Sequence, residues 1–179
     1  MHPGERVRRA RARWGDAEVV RGCIDLLRSE HPPAGGRQLD LGMTLGGLTD
    51  RDWLAGGKPP GHAYWTRVWA VRALLYVWAE EAAPAVVAAL DDEMWRVREL
   101  AAKVVLAREL AEAADVLAAC TVDPVPRVRI AAARALAAVG EAEHAKALRE
   151  MRGDPEQRVA AAGRDALHAL SRRLDRELS

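Results

Sequence analysis

The sequence predicts an all-α fold, a solenoid of helical hairpins, and three observations predict it. A motif recurs at a fixed step: DEMWRVR from Asp92, DPVPRVR from Asp123 and DPEQRVA from Asp154, each 31 residues after the last. A supersecondary unit of that length cannot bury its own apolar face, so copies stack and share one elongated core. Behind each motif the apolar residues keep helical spacing: Val97, Leu100, Ala101, Val104 and Val105, then Val128, Ala131, Ala132, Ala135 and Leu136, then Val159, Ala162, Gly163, Ala166 and Leu167. Half of the 179 residues are apolar, Ala leads them, and Phe is absent. Ala is the best helix former, and an interior of Ala, Leu and Val suits helices that approach closely.

In chain order, the first fourteen residues carry Arg6, Arg8, Arg9, Arg11 and Arg13 against Glu5 and read as a solvated, frayed terminus. Residues 16–30 read as a helix capped by Asp16, with Val19, Val20, Cys23, Ile24 and Leu27 on one face. Residues 31–61 hold eight of the fourteen Gly and four of the nine Pro, with a short Leu39–Met43 segment that reads as a helical turn or two. Such a stretch is either an irregular terminal cap of the stack or a functional loop. The 56–61 segment has Lys58 behind two glycines but no GxxxxGK[ST], and its prolines remove the donors that a phosphate loop needs, so a nucleotide site is rejected.

A helix is expected over 62–78, with Trp65, Val68, Trp69, Arg72, Leu75 and Tyr76 as a broad stripe, opening a divergent unit near Gly61. The regular units follow. Asp123 and Asp154 read as N-caps with Pro124 and Pro155 at the next position, and Gln157 completes a capping box; Gly140 ends the middle helix. The second helices keep the same step, since Ala83, Ala114 and Ala145 align, as do Val86, Leu117 and Leu148. One domain is therefore expected, with 1–61 divergent and irregular, 62–171 built of repeats, and 172–179 a polar C-terminal cap.

An Asp six residues before an Arg, with Val just ahead of that Arg and Ala behind it, resembles the HEAT repeat, and the 31-residue step resembles its short variant, the HEAT-like repeats of the phycobilisome lyase type. Asp92 to Arg98 and Asp123 to Arg129 fit fully; Asp154 has Ala160 in the Arg place. The resemblance covers roughly 80–171 well and 61–80 loosely. It implies a right-handed superhelix in which Asp92, Arg98, Asp123, Arg129 and Asp154 form a structural ladder along the turns. It also implies a surface for macromolecular partners, most often proteins, while members at the family's edges bind DNA, excise alkylated bases or attach bilins.

Two constellations go beyond the ladder. Arg67, Arg96, Arg127 and Arg158 each stand just before the Val of their unit, near a helix N-terminus where the dipole disfavours cations by a few tenths of a kcal/mol. Either they pair with local acids such as Asp91, Glu93 and Glu156, or they form a basic stripe for a phosphate or acidic partner. Trp53, Tyr64, Trp65, Trp69, Tyr76, Trp78 and Trp95 cluster in one segment; they are either the core of the divergent unit or, beside Arg, a binding hot spot.

Catalytic and metal signatures are absent. His2, His31, His62, His144 and His168 are scattered and expected at the surface, Cys23 and Cys120 stand alone, and no cofactor is expected. The 27 basic and 26 acidic residues leave a net charge of +1, which argues against bulk attraction to nucleic acid. With no signal-peptide pattern and no long apolar run, the cytoplasm is the expected location and no membrane partner is expected. The expected function is non-catalytic binding of a protein on the concave face, taken as that of the second helices, through Trp65, Arg67, Trp95, Arg96, Arg127 and Arg158. The rival is a DNA-binding chain of the alkylpurine DNA glycosylase type, with Asp52 or Asp92 stabilising the cationic transition state.

Overall fold

A computed structural model describes residues 1–29, 31, 33–55 and 64–178. Every regular element among them is helical, and no strand occurs among the described residues. The chain divides into two compact units, Met1–Ala89 and Leu90–Ser179.

The first unit opens with α1 (Pro3–Trp14), where the sequence suggested a solvated terminus. Pro3 sits at N1, and His2 and Glu5 close a capping box, His2 Nδ1 accepting from Gly4 N and Glu5 Oε2 from His2 N. Val7 and Ala10 turn inward and are buried while Arg8, Arg9, Arg11 and Arg13 are exposed, so most of the charge run is the wet side of an amphipathic helix. At the corner into α2 (Asp16–Arg28), Gly15 is the cap and Asp16 the first helical residue. The Asp16 carboxylate instead accepts from Arg11 Nε at 2.7 Å and Nη2 at 2.6 Å, and this bond holds it below the usual carboxylate range. Val19, Val20, Cys23, Ile24 and Leu26 form the buried face; Leu27 is only half-buried.

The glycine-rich stretch contains a full helix, α3 (Gly36–Gly46), followed by the short α4 (Arg51–Ala55). The glycines there are boundaries and close contacts. Gly47 takes a left-handed φ of 68° and ends α3, its N–H donating to Thr44 O and that of Leu48 to Met43 O. A side chain at Gly46 would strike the Trp69 ring, 2.6 Å from the position of its Cβ. From α1, Arg6 Nη1 donates to the Gly46 carbonyl at 2.5 Å and closes the end of α3.

The next helix, α5 (Tyr64–Ala73), is shorter than the expected 62–78, because Leu74–Val77 unwind into turns. Its expected start near Gly61, together with residues 56–63, lies outside the described residues. α5 packs on α2 and α3, and α6 (Ala83–Ala88) packs on α2.

The second unit is where the 31-residue step acts. Its long helices are α7 (Trp95–Arg108), α9 (Pro126–Val139) and α11 (Gln157–Arg173); its short ones are α8 (Ala114–Cys120) and α10 (Ala145–Glu150). α9 lies between α7 and α11, with α8 against α9 and α10 against α11. Val97, Val128, Val159, Leu117, Leu136, Leu148 and Leu170 show no solvent-exposed area and fill the space between the layers.

The long helices start three residues later than the proposed Asp caps. Asp92, Asp123 and Asp154 each accept a backbone N–H two residues on, from Met94 at 2.8 Å, Val125 at 2.8 Å and Glu156 at 2.9 Å. This is an Asx turn that precedes the helix. Met94, Val125 and Glu156 stay extended and occupy the cap position, and for Val125 the following Pro126 enforces that conformation. Pro126, not Pro124, therefore fills N1, and Gln157 is the first residue of α11 with no capping-box role.

Candidate functional site

The Asp turns and the long helices meet in a chain of ion pairs. Arg98 Nε donates to Asp123 Oδ2 at 2.6 Å and Nη2 to Oδ1 at 3.1 Å, a two-pronged contact across 25 residues. Its third nitrogen, Nη1, donates back to the carbonyls of Asp92 and Glu93 at 2.7 and 3.0 Å. Arg129 repeats the pattern one step later: Nη1 donates to Asp123 O at 2.8 Å and Nη2 to Asp154 Oδ1 at 3.0 Å. Arg129 Nε lies 2.8 Å from Asp154 Oδ2 as an ion pair, at an angle too poor for a hydrogen bond. These side chains are only 6% to 15% exposed, so water does not screen them well. The bond to Asp123 raises the Arg98 pKa further.

The arginines ahead of each Val divide. Arg67 is buried in α5 of the first unit, 7% exposed, which removes it from any exposed stripe there. Its neighbour Trp65 is half-buried and stacks between Tyr64 at 5.1 Å and Trp69 at 6.2 Å. With Trp53 tilted against Trp69 at 6.4 Å, these rings form the packed side of the first unit.

In the second unit Arg96, Arg127 and Arg158 all occupy N2 of their helices. Arg96 lies 4.4 Å from the centre of the Trp95 ring and Arg127 lies 5.6 Å from it, so one indole serves two guanidinium groups. Arg127 pairs with Glu99 at 3.3 Å, an acid one repeat earlier and not a sequence neighbour. Arg158 is exposed and makes no ion pair among the described residues.

Arg127 and Arg158 line one groove of about 780 Å³ across α7, α9 and α11. Its floor is small and apolar, with Ile130, Ala131, Ala161, Ala162 and Ala166. Its remaining charges are Lys103, Arg134, Glu99 and Asp165. Glu99 also accepts from Lys103 at 2.8 Å, whereas Arg134 is exposed and unpaired among the described residues. The groove thus lies on the helices that open each repeat, not on the second helices α8 and α10. Sequence reasoning passed over Lys103, Arg134 and Asp165, yet they stand 31 residues apart and the same step finds them.

The other polar candidates are accounted for. His144 is buried and not at the surface: its Nδ1 accepts from Glu141 N at 2.8 Å, and Nε2 faces Asp115 at 3.1 Å. His62 lies outside the described residues. Among the described residues no group of three or more His, Cys, Asp or Glu is placed to hold a metal ion, and no helix is long and apolar enough to cross a membrane. Burial pushes the Cys23 thiol up to about 12 and Cys120 up to about 11. Compared with protein-family models and with curated protein sequences, the chain matches no family and no curated protein.

Proposed function

We propose that this chain is a non-catalytic repeat protein of the HEAT-like type, a right-handed α-solenoid, that binds a protein partner on the face made by α7, α9 and α11. The observation that carries the reading is the groove itself. Two arginines, Arg134 and Arg158, stand exposed and unpaired over a floor of alanines. Small floor residues let a partner's backbone come close, and guanidinium groups at the rim select for acidic or hydrogen-bond-accepting groups. Trp95, with Arg96 and Arg127 both over its ring, adds an anchor of the kind that concentrates binding energy.

The test is affinity capture with the whole chain as bait, comparing the natural sequence with Arg127→Ala/Arg158→Ala and with Lys146→Ala, whose side chain is 78% exposed on α10. Partners should be lost by about tenfold or more with the groove variant and retained by the α10 variant. Equal recovery by all three, with helical content unchanged by circular dichroism, overturns the assignment. The glycosylase class is tested separately: release of methylated bases from duplex DNA that disappears in Asp52→Asn or Asp92→Asn would replace the adaptor reading. Asp92 Oδ1 already accepts from Met94 N, and Asp52 is exposed on α4.

A further inference from the structure

A second cavity, of about 460 Å³, opens on the side of α11 away from the groove, and its wall is basic. Arg164, His168 and Arg172 recur at every fourth residue of α11 and so form one stripe; Arg152 reaches the same cavity from the turn 151–153, and Ser171 contributes a hydroxyl. The side chains of Arg152, Arg164, His168 and Arg172 are exposed and engage no hydrogen bond or ion pair among the described residues.

Many other arginines of this chain are engaged by acids, although Arg134 and Arg158 of the groove are likewise without an ion pair among the described residues. Arg11, Arg21, Arg37, Arg51, Arg98, Arg129 and Arg173 all pair with carboxylates. The acid next to Arg164, Asp165, lines the α7–α9–α11 groove instead. Among the described residues only Glu177 brings a carboxylate to the cavity, and it forms no ion pair there. A polar end to a stack of repeats needs solvated residues but gains nothing from three guanidinium groups around one cavity, because like charges repel.

We infer that this cavity is a binding site for a small organic ligand carrying a diphosphate. Guanidinium groups offer paired N–H donors that match two phosphate oxygens at once, and three of them around one cavity exceed what a single carboxylate would need. Ser171 and His168 supply further donors on the same wall. Leu167 and Leu178 give the cavity an apolar side for the organic part of the ligand. The site is separate from the proposed partner groove, so each stands or falls without the other.

The experiment is an amide-shift titration of the full chain at physiological salt, first with inorganic pyrophosphate and then with ADP. The expected result is saturable binding with shifts confined to the turn 151–153 and to α11 through residue 178, tighter for ADP than for pyrophosphate. Arg164→Ala/Arg172→Ala should weaken it by about tenfold or more, and Arg164→Lys/Arg172→Lys, which keeps the charge but loses the fork, by less. Arg134→Ala/Arg158→Ala should leave it unchanged. Three results overturn the inference: shifts spread over arginines throughout the chain, affinity unaltered by the α11 alanine pair, or a twelve-base-pair duplex that binds the same residues more tightly than pyrophosphate.

Discussion

Asp123 does three things with one residue. Its Oδ1 shapes the turn by accepting from Val125, both oxygens hold Arg98, and its carbonyl receives Arg129. Asp123→Ala therefore leaves a largely buried guanidinium unpaired and the turn unsupported, and it should cost about 3–5 kcal/mol in urea unfolding. Asp123→Asn keeps an oxygen for Val125 and should cost less than Ala. A loss under about 0.5 kcal/mol for Ala would mean that the pair is merely decorative. The two thiols carry a second residue-scale prediction. In the unfolded chain they ionise near the ordinary 9.0, whereas in the native chain burial holds the proton to about 11 and about 12. Above pH 9 the unfolded state binds fewer protons than the native one, so stability should fall as pH rises through that window. Aromatic disulfide reagents at pH 8 should label neither Cys until the chain unfolds, and rapid labelling of the native protein would contradict their burial.

At the scale of elements, the long helices show why a repeat fixes a position more reliably than a boundary. The 31-residue step aligned Ala83, Ala114 and Ala145, and in the structure they are the first residues of α6, α8 and α10. It could not place the helix starts, because an Asp followed by Pro serves a cap and an Asx turn equally well. The choice is made by an arginine 25 residues away in sequence that also needs the carboxylate. The sequence pattern misses α1 and shows α3 only as a helical turn or two, for a different reason. In α1 the apolar residues are interrupted by Arg, and in α3 they alternate with Asp40, Gly42 and Thr44, so neither shows a helical stripe; the boundaries acquire meaning only when Arg6 meets Gly46 or Gly46 meets Trp69. Of the candidate site, the second-unit arginines were legible, while the burial of Arg67 was not, since it depends on what packs against α5.

Gly163 gives the element-scale prediction. Its counterparts are Ala101 and Ala132, and Ala normally improves a helix by up to about 1 kcal/mol over Gly. Here a Cβ would come within 2.6 Å of Met151 Cβ and 3.1 Å of Leu148 O, so Gly163→Ala should instead destabilise by about 1–3 kcal/mol. At the end of α7 the sign reverses. Glu109 is held at a left-handed φ of 54°, and Glu109→Gly should stabilise by about 0.5–1 kcal/mol in the same unfolding assay.

At the scale of the whole molecule, the second unit is stabilised by neighbours more than by any single centre. α9 is packed on by α7, α8 and α11, so it is the element whose loss is felt on all sides. Leu136→Ala, at a fully buried position, should cost about 2–5 kcal/mol and lower hydrogen-exchange protection in α7 and α11 together. If α7 kept its protection while α9 lost it, the unit would be a row of independent hairpins.

The ladder of Arg98 to Asp123 and Arg129 to Asp154 also bears on how such a chain can grow. The 123–153 segment carries one donor facing forward, Arg129, and one acceptor facing back, Asp123. A tandem duplication of 123–153 would supply a new Arg and a new Asp at once and leave no charge stranded in the interior. Lengthening by whole copies is thus chemically neutral at the seam, whereas a deletion that removes only one of the two residues is not.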